Sequence, residues 1–139
     1  MSVRELAVYQ AAIANILDCE NLDIHLDRRF TDEKRQLLRA ARSIPALLTE
    51  GYAKRISQKE FLRYVLMALG SSDEVQTHLY ILQISRFNHL GTEVFEHIIT
   101  KYSLLSRQLN VMTQAISANI RYPVSEIRHP LSGRRKLTR

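Results

Sequence analysis

The chain has 139 residues, 45% of them apolar, which fits one domain with an ordinary core. Its single cysteine, Cys19, excludes an internal disulfide framework and is expected of a reducing cytoplasm. Net charge is +6, no apolar run approaches the roughly 18 residues of a membrane span, and the N-terminal MSVRELAVYQ lacks the apolar core of a signal peptide.

No segment alternates apolar and polar residues between close turn signals, so the periodicity is helical throughout. The first helix is expected from about Val3 to Leu26, with Leu6, Ile13, Ile16, Leu17 and Ile24 as its apolar face. DRRFT then turns the chain. Thr31 is the expected N-cap of a second helix, and Asp32 and Glu33 suit the positive end of its dipole. That helix runs from about Asp32 to Lys54. Leu37, Ala41, Ile44 and Leu48 share one face, while Arg35, Arg39 and Arg42 stripe the opposite one. Pro45 interrupts it, yet the apolar phase continues past the proline. A kinked but continuous helix is therefore expected.

Ser57 and Glu60 form a capping box that starts the third helix. Phe61, Tyr64, Val65, Ala68, Ser72, Val75, Leu79 and Leu82 make one stripe along it. Leu62, Leu66, Leu69, Tyr80, Ile84 and Phe87 make a second. Two stripes predict burial on two sides, one against the bundle and one against a neighbouring subunit. The stripe keeps phase across Gly70, so one helix is expected to about Asn88, with the glycine allowing a close helix–helix approach. Gly91 is the expected C′ residue and Thr92 the next N-cap. In the fourth helix Phe95, Ile98, Tyr102, Leu105, Leu109, Met112 and Ile116 form a heptad seam. Four helices with short turns give an all-α, antiparallel up-down four-helix bundle over residues 1–121. Residues 122–139, YPVSEIRHPLSGRRKLTR, read as an extended, proline-containing basic tail.

The charge is unevenly spread. Residues 1–30 carry three basic and five acidic side chains, and residues 31–120 carry eleven and eight. Residues 121–139 carry six and one, for +5. A cationic tail favours polyanions, nucleic acid first. The candidate nucleic-acid contacts are therefore Arg35, Arg39, Arg42, Lys54, Arg55 and Arg63 on the bundle, beside Lys59, and Arg134, Arg135, Lys136 and Arg139 in the tail.

Nothing in the sequence favours an enzyme. There is no P-loop, GxGxxG or GxSxG. No histidine on the four expected helices has the HxxxH or ExxH spacing of a helical metal site, and the Glu74/His78 and Glu93/His97 pairs suit surface pairing. A lone Cys19 among apolar residues reads as a core filler. No cofactor, metal or membrane partner is expected.

Residues 36–79 carry a Q-x-x-R-A-x-x-S-I core (Gln36, Arg39, Ala40, Ser43, Ile44), an E-G pair (Glu50, Gly51), a K-E-F start (Lys59, Glu60, Phe61) and an A-x-G-S-x-x-E segment (Ala68, Gly70, Ser71, Glu74). This pattern resembles the four-helix-bundle proteins encoded in intervening sequences of bacterial 23S rRNA genes, over about residues 4–118. It is also similar to the accessory variability (Avd-like) proteins of diversity-generating retroelements. The resemblance implies a homopentameric ring with a basic surface that binds RNA or DNA and a reverse transcriptase, and no catalytic residues. Two positions depart from the pattern: Leu47, where the family often has Asn, and Leu69, where it often has Arg. Both remove polar groups from a phosphate-binding surface. The expected function is thus a non-catalytic, cytoplasmic, nucleic-acid-binding bundle that serves a reverse transcriptase or an rRNA intervening sequence. The alternative is a protein–protein scaffold whose ring docks a partner without nucleic acid.

Overall fold

A computed structural model describes residues 1–121. Four α-helices account for most of them: α1 (Ala7–His25), α2 (Thr31–Ala53), α3 (Gln58–Ile84) and α4 (Thr92–Arg121). Short 3-10 turns, Val3–Glu5 and Arg28–Phe30, precede α1 and α2. The helices pack in the order α1–α2–α3–α4, with α4 closing back on α1. α1 and α3 therefore occupy opposite corners of an antiparallel bundle. The tail expected at 122–139 lies outside the described residues.

Helices α2 and α4 bury the faces their spacing predicts. Leu37, Ala41, Ile44 and Leu48 are fully inaccessible. On α4, Phe95, Ile98, Tyr102, Leu105, Leu109 and Ile116 are buried. Met112 is only half-buried, and Thr113 takes its place inward. On α3 the first stripe, Phe61 to Leu82, is the core face in full.

Pro45 sits inside α2, which continues through it. The ring removes one hydrogen bond and crowds a carbonyl, at a cost of about 3 kcal/mol. Leu37, Ile44 and Leu48 offset that cost, since full burial stabilises each by about 1.5–3 kcal/mol. Two hydroxyls also brace the helix here. Ser43 Oγ donates to the Ala40 carbonyl at 2.7 Å, and Thr49 Oγ1 to the Pro45 carbonyl at 2.8 Å.

Helix α1 differs from expectation. Its core face is Val8, Ala12, Asn15, Cys19 and Leu22. Ile13, Leu17 and Ile24 point outward instead, with Leu17 58% and Ile24 75% exposed. At about 100° per residue those three lie nearly opposite the core face. The core face of α1 instead mixes the small Ala12 and Cys19 with Val8, Asn15 and Leu22.

The turns also differ in detail. Phe30 precedes α2 with no side-chain cap, and Thr31 Oγ1 donates instead to the Arg28 carbonyl at 2.8 Å. Ser57 does cap α3, accepting from the Glu60 amide at 3.3 Å. The reciprocal half of the box is absent among the described residues: the Ser57 amide donates to the Lys54 carbonyl, and Glu60 pairs with Arg63. α3 ends at Ile84, with Ser85 and not Gly91 as its cap. The Asn88 side chain then holds the turn, donating to the Gln83 and Leu90 carbonyls and accepting from the Leu90 amide.

Candidate nucleic-acid interface

The arginine stripe of α2 is solvent-exposed, as its phase predicts, and each guanidinium is engaged. Arg35 pairs with Asp32 at 2.8 Å, one turn back on the same helix. Arg39 bonds to Gln36 and reaches across to Glu74 of α3. Arg42 reaches Glu20 of α1 at 2.8 Å. Three cations thus face three carboxylates, so the stripe is close to neutral as a field source. Exposed pairs of this kind contribute only about 0–1 kcal/mol. Two of the three carboxylates come from other helices, which is why spacing along α2 does not reveal them.

Glu74 is a junction. Burial pushes its carboxyl up, but hydrogen bonds from His78, at 3.0 Å, and from Arg39 together outweigh this. The carboxyl is held below its ordinary pKa of 4.5. The Glu74–His78 spacing therefore yields a hydrogen-bonded pair that anchors Arg39.

A different surface keeps its charge. The bundle topology brings the start of α1, the end of α2, the start of α3 and the end of α4 to one end. The Tyr52 hydroxyl donates to the Met1 carbonyl there at 3.3 Å. Arg4, Lys54, Arg55, Lys59 and Arg63 gather at this end, against Glu5, Glu50 and Glu60. Arg4, Arg55 and Lys59 meet no carboxylate among the described residues. The Arg55 guanidinium sits over the Tyr52 ring, 4.0 Å from its centroid, and donates to the Tyr52 carbonyl at 2.8 Å. Lys54 donates to the Tyr64 hydroxyl at 3.2 Å, which in turn donates to Glu50. Its ammonium lies 3.6 Å from the same carboxylate. Arg63 covers the Tyr64 ring at 4.6 Å while pairing with Glu60. The Tyr64 hydrogen bond raises the Lys54 pKa and the Glu60 bond raises that of Arg63. Aromatic rings thus hold several of these cations in fixed places, and α4 ends beside them at Arg121. The tail cations Arg134, Arg135, Lys136 and Arg139 lie outside the described residues.

At the opposite end, residues 23–34 and 84–97, six carboxylates outnumber four Lys and Arg, although Arg28 and Arg86 meet none among the described residues. Arg29 is clasped by Asp27 through two guanidinium bonds of 3.0 and 2.9 Å. Those side-chain bonds, with the Arg29 amide, hold the Asp27 carboxyl far below the usual carboxylate range. Lys34 approaches Asp23 at 4.0 Å.

The remaining candidates give no reactive arrangement among the described residues. Cys19 is buried, with its thiol pushed up to about 11 by burial. It donates to the Tyr102 hydroxyl at 3.6 Å and fills core space. Glu93 and His97 do not bond to each other; with Asp18 and His25 they rim a groove between α1 and α4. No cluster of three or more His, Cys, Asp or Glu among the described residues is placed to hold a metal ion. No helix of the described residues is long and apolar enough to cross a membrane.

The sequence signature of residues 36–79 turns out to be a set of mutual contacts along the α2–α3 seam. Arg39 meets Glu74, the Ser43 and Ser71 hydroxyl oxygens lie 2.8 Å apart in hydrogen-bond contact, and Gly51 faces Tyr64. The fold thus defines an up-down four-helix bundle whose most distinctive residues hold its central helix pair together. The chain belongs to the 23S rRNA-intervening sequence protein family, whose family model matches residues 4–111. No curated protein and no solved structure matches the chain.

Proposed function

We propose that this bundle is a non-catalytic, self-assembling protein that binds the phosphate backbone of nucleic acid at its α2–α3 end. The observation that carries the reading is the set of cations at that end, Arg4, Lys54, Arg55, Lys59 and Arg63, several held on tyrosine rings and only partly balanced by carboxylates. Fixed cations release counterions from a nucleic acid without first losing side-chain freedom. The basic segment after Arg121 leaves from the same end and adds further phosphate contacts. The α2 arginines Arg35, Arg39 and Arg42 contribute less, because each must first exchange a carboxylate for a phosphate.

Self-assembly follows from two unpartnered apolar faces. Ile13, Leu17 and Ile24 line the outside of α1, and Leu66, Tyr80 and Ile84 the outside of α3. These helices sit on opposite corners, so the two faces look away from each other. Contact between unlike faces repeats from copy to copy, and a repeating contact of this kind closes into a ring when its rotation allows. A homopentameric ring is the size that the family resemblance implies. The setting it implies is service to a structured RNA element or to a reverse transcriptase.

Fluorescence anisotropy with an RNA hairpin and a DNA duplex tests the binding reading. Association is expected at about 50 mM salt and should weaken steeply as salt rises. No association of micromolar protein at low salt overturns it and leaves the scaffold reading in place.

A further inference from the structure

The turn between α2 and α3 displays an isoleucine with nothing to pack on. Ile56 is 100% exposed, yet the backbone around it is fixed. The Lys54 and Arg55 amides donate to the Gly51 and Tyr52 carbonyls at 3.1 and 3.2 Å, and the Ser57 amide donates to the Lys54 carbonyl at 3.0 Å. Gln58 Nε2 donates to the Arg55 carbonyl at 2.7 Å. The branched Cβ of isoleucine restricts the side chain as well. An apolar residue has one common local role at this position. It precedes the N-cap Ser57, where it staples onto the fourth residue of the helix, here Phe61. Phe61 is buried and packs edge-on against the Tyr52 ring, with centroids 6.2 Å apart. The staple is therefore not made, and Ile56 takes no part in the core.

Its neighbours select what meets it. Lys54, Arg55 and Lys59 flank Ile56 in sequence, and Arg55 and Lys59 meet no carboxylate among the described residues. A rigid apolar tip among cations fits a surface that offers phosphates with an apolar slot between them. A base stack is such a surface. A membrane also offers phosphates, but Ile56 and the exposed Met1 together carry less apolar surface than one acyl chain, which by itself binds only marginally. We infer that Ile56 is a wedge that enters helical nucleic acid where an unpaired base already interrupts the stacking, while the flanking cations hold the phosphates. Magnitudes select that substrate class. Burying one isoleucine is worth about ten- to a hundredfold in affinity. Opening an intact base step costs a similar or larger factor, and the cost is least where a base is unpaired. A lone isoleucine therefore gains little on a continuous duplex and most at a bulge. The wedge rests on the nucleic-acid reading proposed above and names the structure that the same site prefers.

The test measures the affinity of the full chain, Ile56→Ser and Ile56→Val for two RNA hairpins, one fully paired and one with a single bulged adenine. Ile56 makes no core contact, so both variants should fold, which circular dichroism checks. The unmodified chain is expected to prefer the bulged hairpin by about tenfold. Ile56→Ser should bring that ratio close to one, and Ile56→Val should keep most of it. Both affinities should fall as salt rises while the ratio persists, because an apolar wedge releases no counterions. A 2-aminopurine placed beside the bulge should brighten with the unmodified chain and not with Ile56→Ser. Binding to neither hairpin at about 50 mM salt overturns the nucleic-acid reading and the wedge with it. Equal binding to both hairpins, a ratio unchanged in Ile56→Ser, or a ratio that collapses as salt rises overturns the wedge alone. Ile56-dependent binding to phosphatidylserine vesicles without a bulge preference assigns the tip to a membrane and also overturns it.

Discussion

Two helical glycines do opposite things. A Cβ at Gly51 would stand 2.6 Å from the Tyr64 Cβ, an atom fixed close to its own backbone. Helix α3 approaches α2 so closely here that no side chain fits. Gly51→Ala gains about 1 kcal/mol of helix propensity but must push the helices apart. Overpacking typically costs about 1–3 kcal/mol, so a net loss of stability is expected in urea unfolding. At Gly70 a Cβ meets nothing within 4 Å. Gly70→Ala should therefore raise stability by up to about 1 kcal/mol in the same measurement. The sequence predicted a close approach at Gly70. Within one chain that approach occurs at Gly51, and only the partner helix's register distinguishes the two positions.

At the scale of the helix, phase along the chain is enough for α2, α3 and α4, because large apolar residues there dominate one face. Leu37, Ile44 and Leu48 carry α2 through Pro45, and the heptad of α4 survives except at Met112. For α1 the same reasoning selects the outer face. Its largest apolar residues serve a surface, and its inner face is built from Ala12, Asn15 and Cys19, which carry little periodic signal. The cross-helix ion pairs are equally invisible, since Arg39–Glu74 and Arg42–Glu20 join residues far apart in sequence. The Glu74 clasp has a pH signature. A carboxyl depressed in the folded state contributes stability above its ordinary pKa of 4.5, lost as pH falls through the lower folded value. Acid unfolding should therefore lose part of its slope below about pH 4.5 in Glu74→Gln, with unchanged helix content at neutral pH by circular dichroism. An identical acid profile in the variant contradicts the clasp.

For the whole molecule, the two outward apolar faces make a specific statement about assembly. Leu17→Glu spoils the α1 face and Ile84→Glu the α3 face, while each variant keeps the other face intact. Light scattering should show each variant alone as a monomer. Mixed together they should form a dimer and nothing larger, because one good α1 face meets one good α3 face. If either variant alone remains a dimer, like faces pair and the ring arrangement is wrong. The bundle and its family signature are legible from periodicity and from the small and polar residues of 36–79. The location of net positive charge is not. It depends on which carboxylates other helices bring, and those neutralise the α2 stripe while leaving an excess of cations at the end that holds Lys54, Arg55 and Lys59.

That contrast supplies the most direct test of the central claim, a comparison of salt dependences. The logarithm of the association constant for an RNA hairpin is measured against the logarithm of salt concentration for three proteins: the unmodified chain, Lys54→Ser/Arg55→Ser/Lys59→Ser, and Arg35→Ser/Arg39→Ser/Arg42→Ser. Removing one cation that neutralises a phosphate lowers the slope by roughly one. The bundle-end variant should therefore show a slope smaller by about two to three, and the α2 variant one smaller by less than about one. Equal slopes for the unmodified chain and the bundle-end variant would contradict the account.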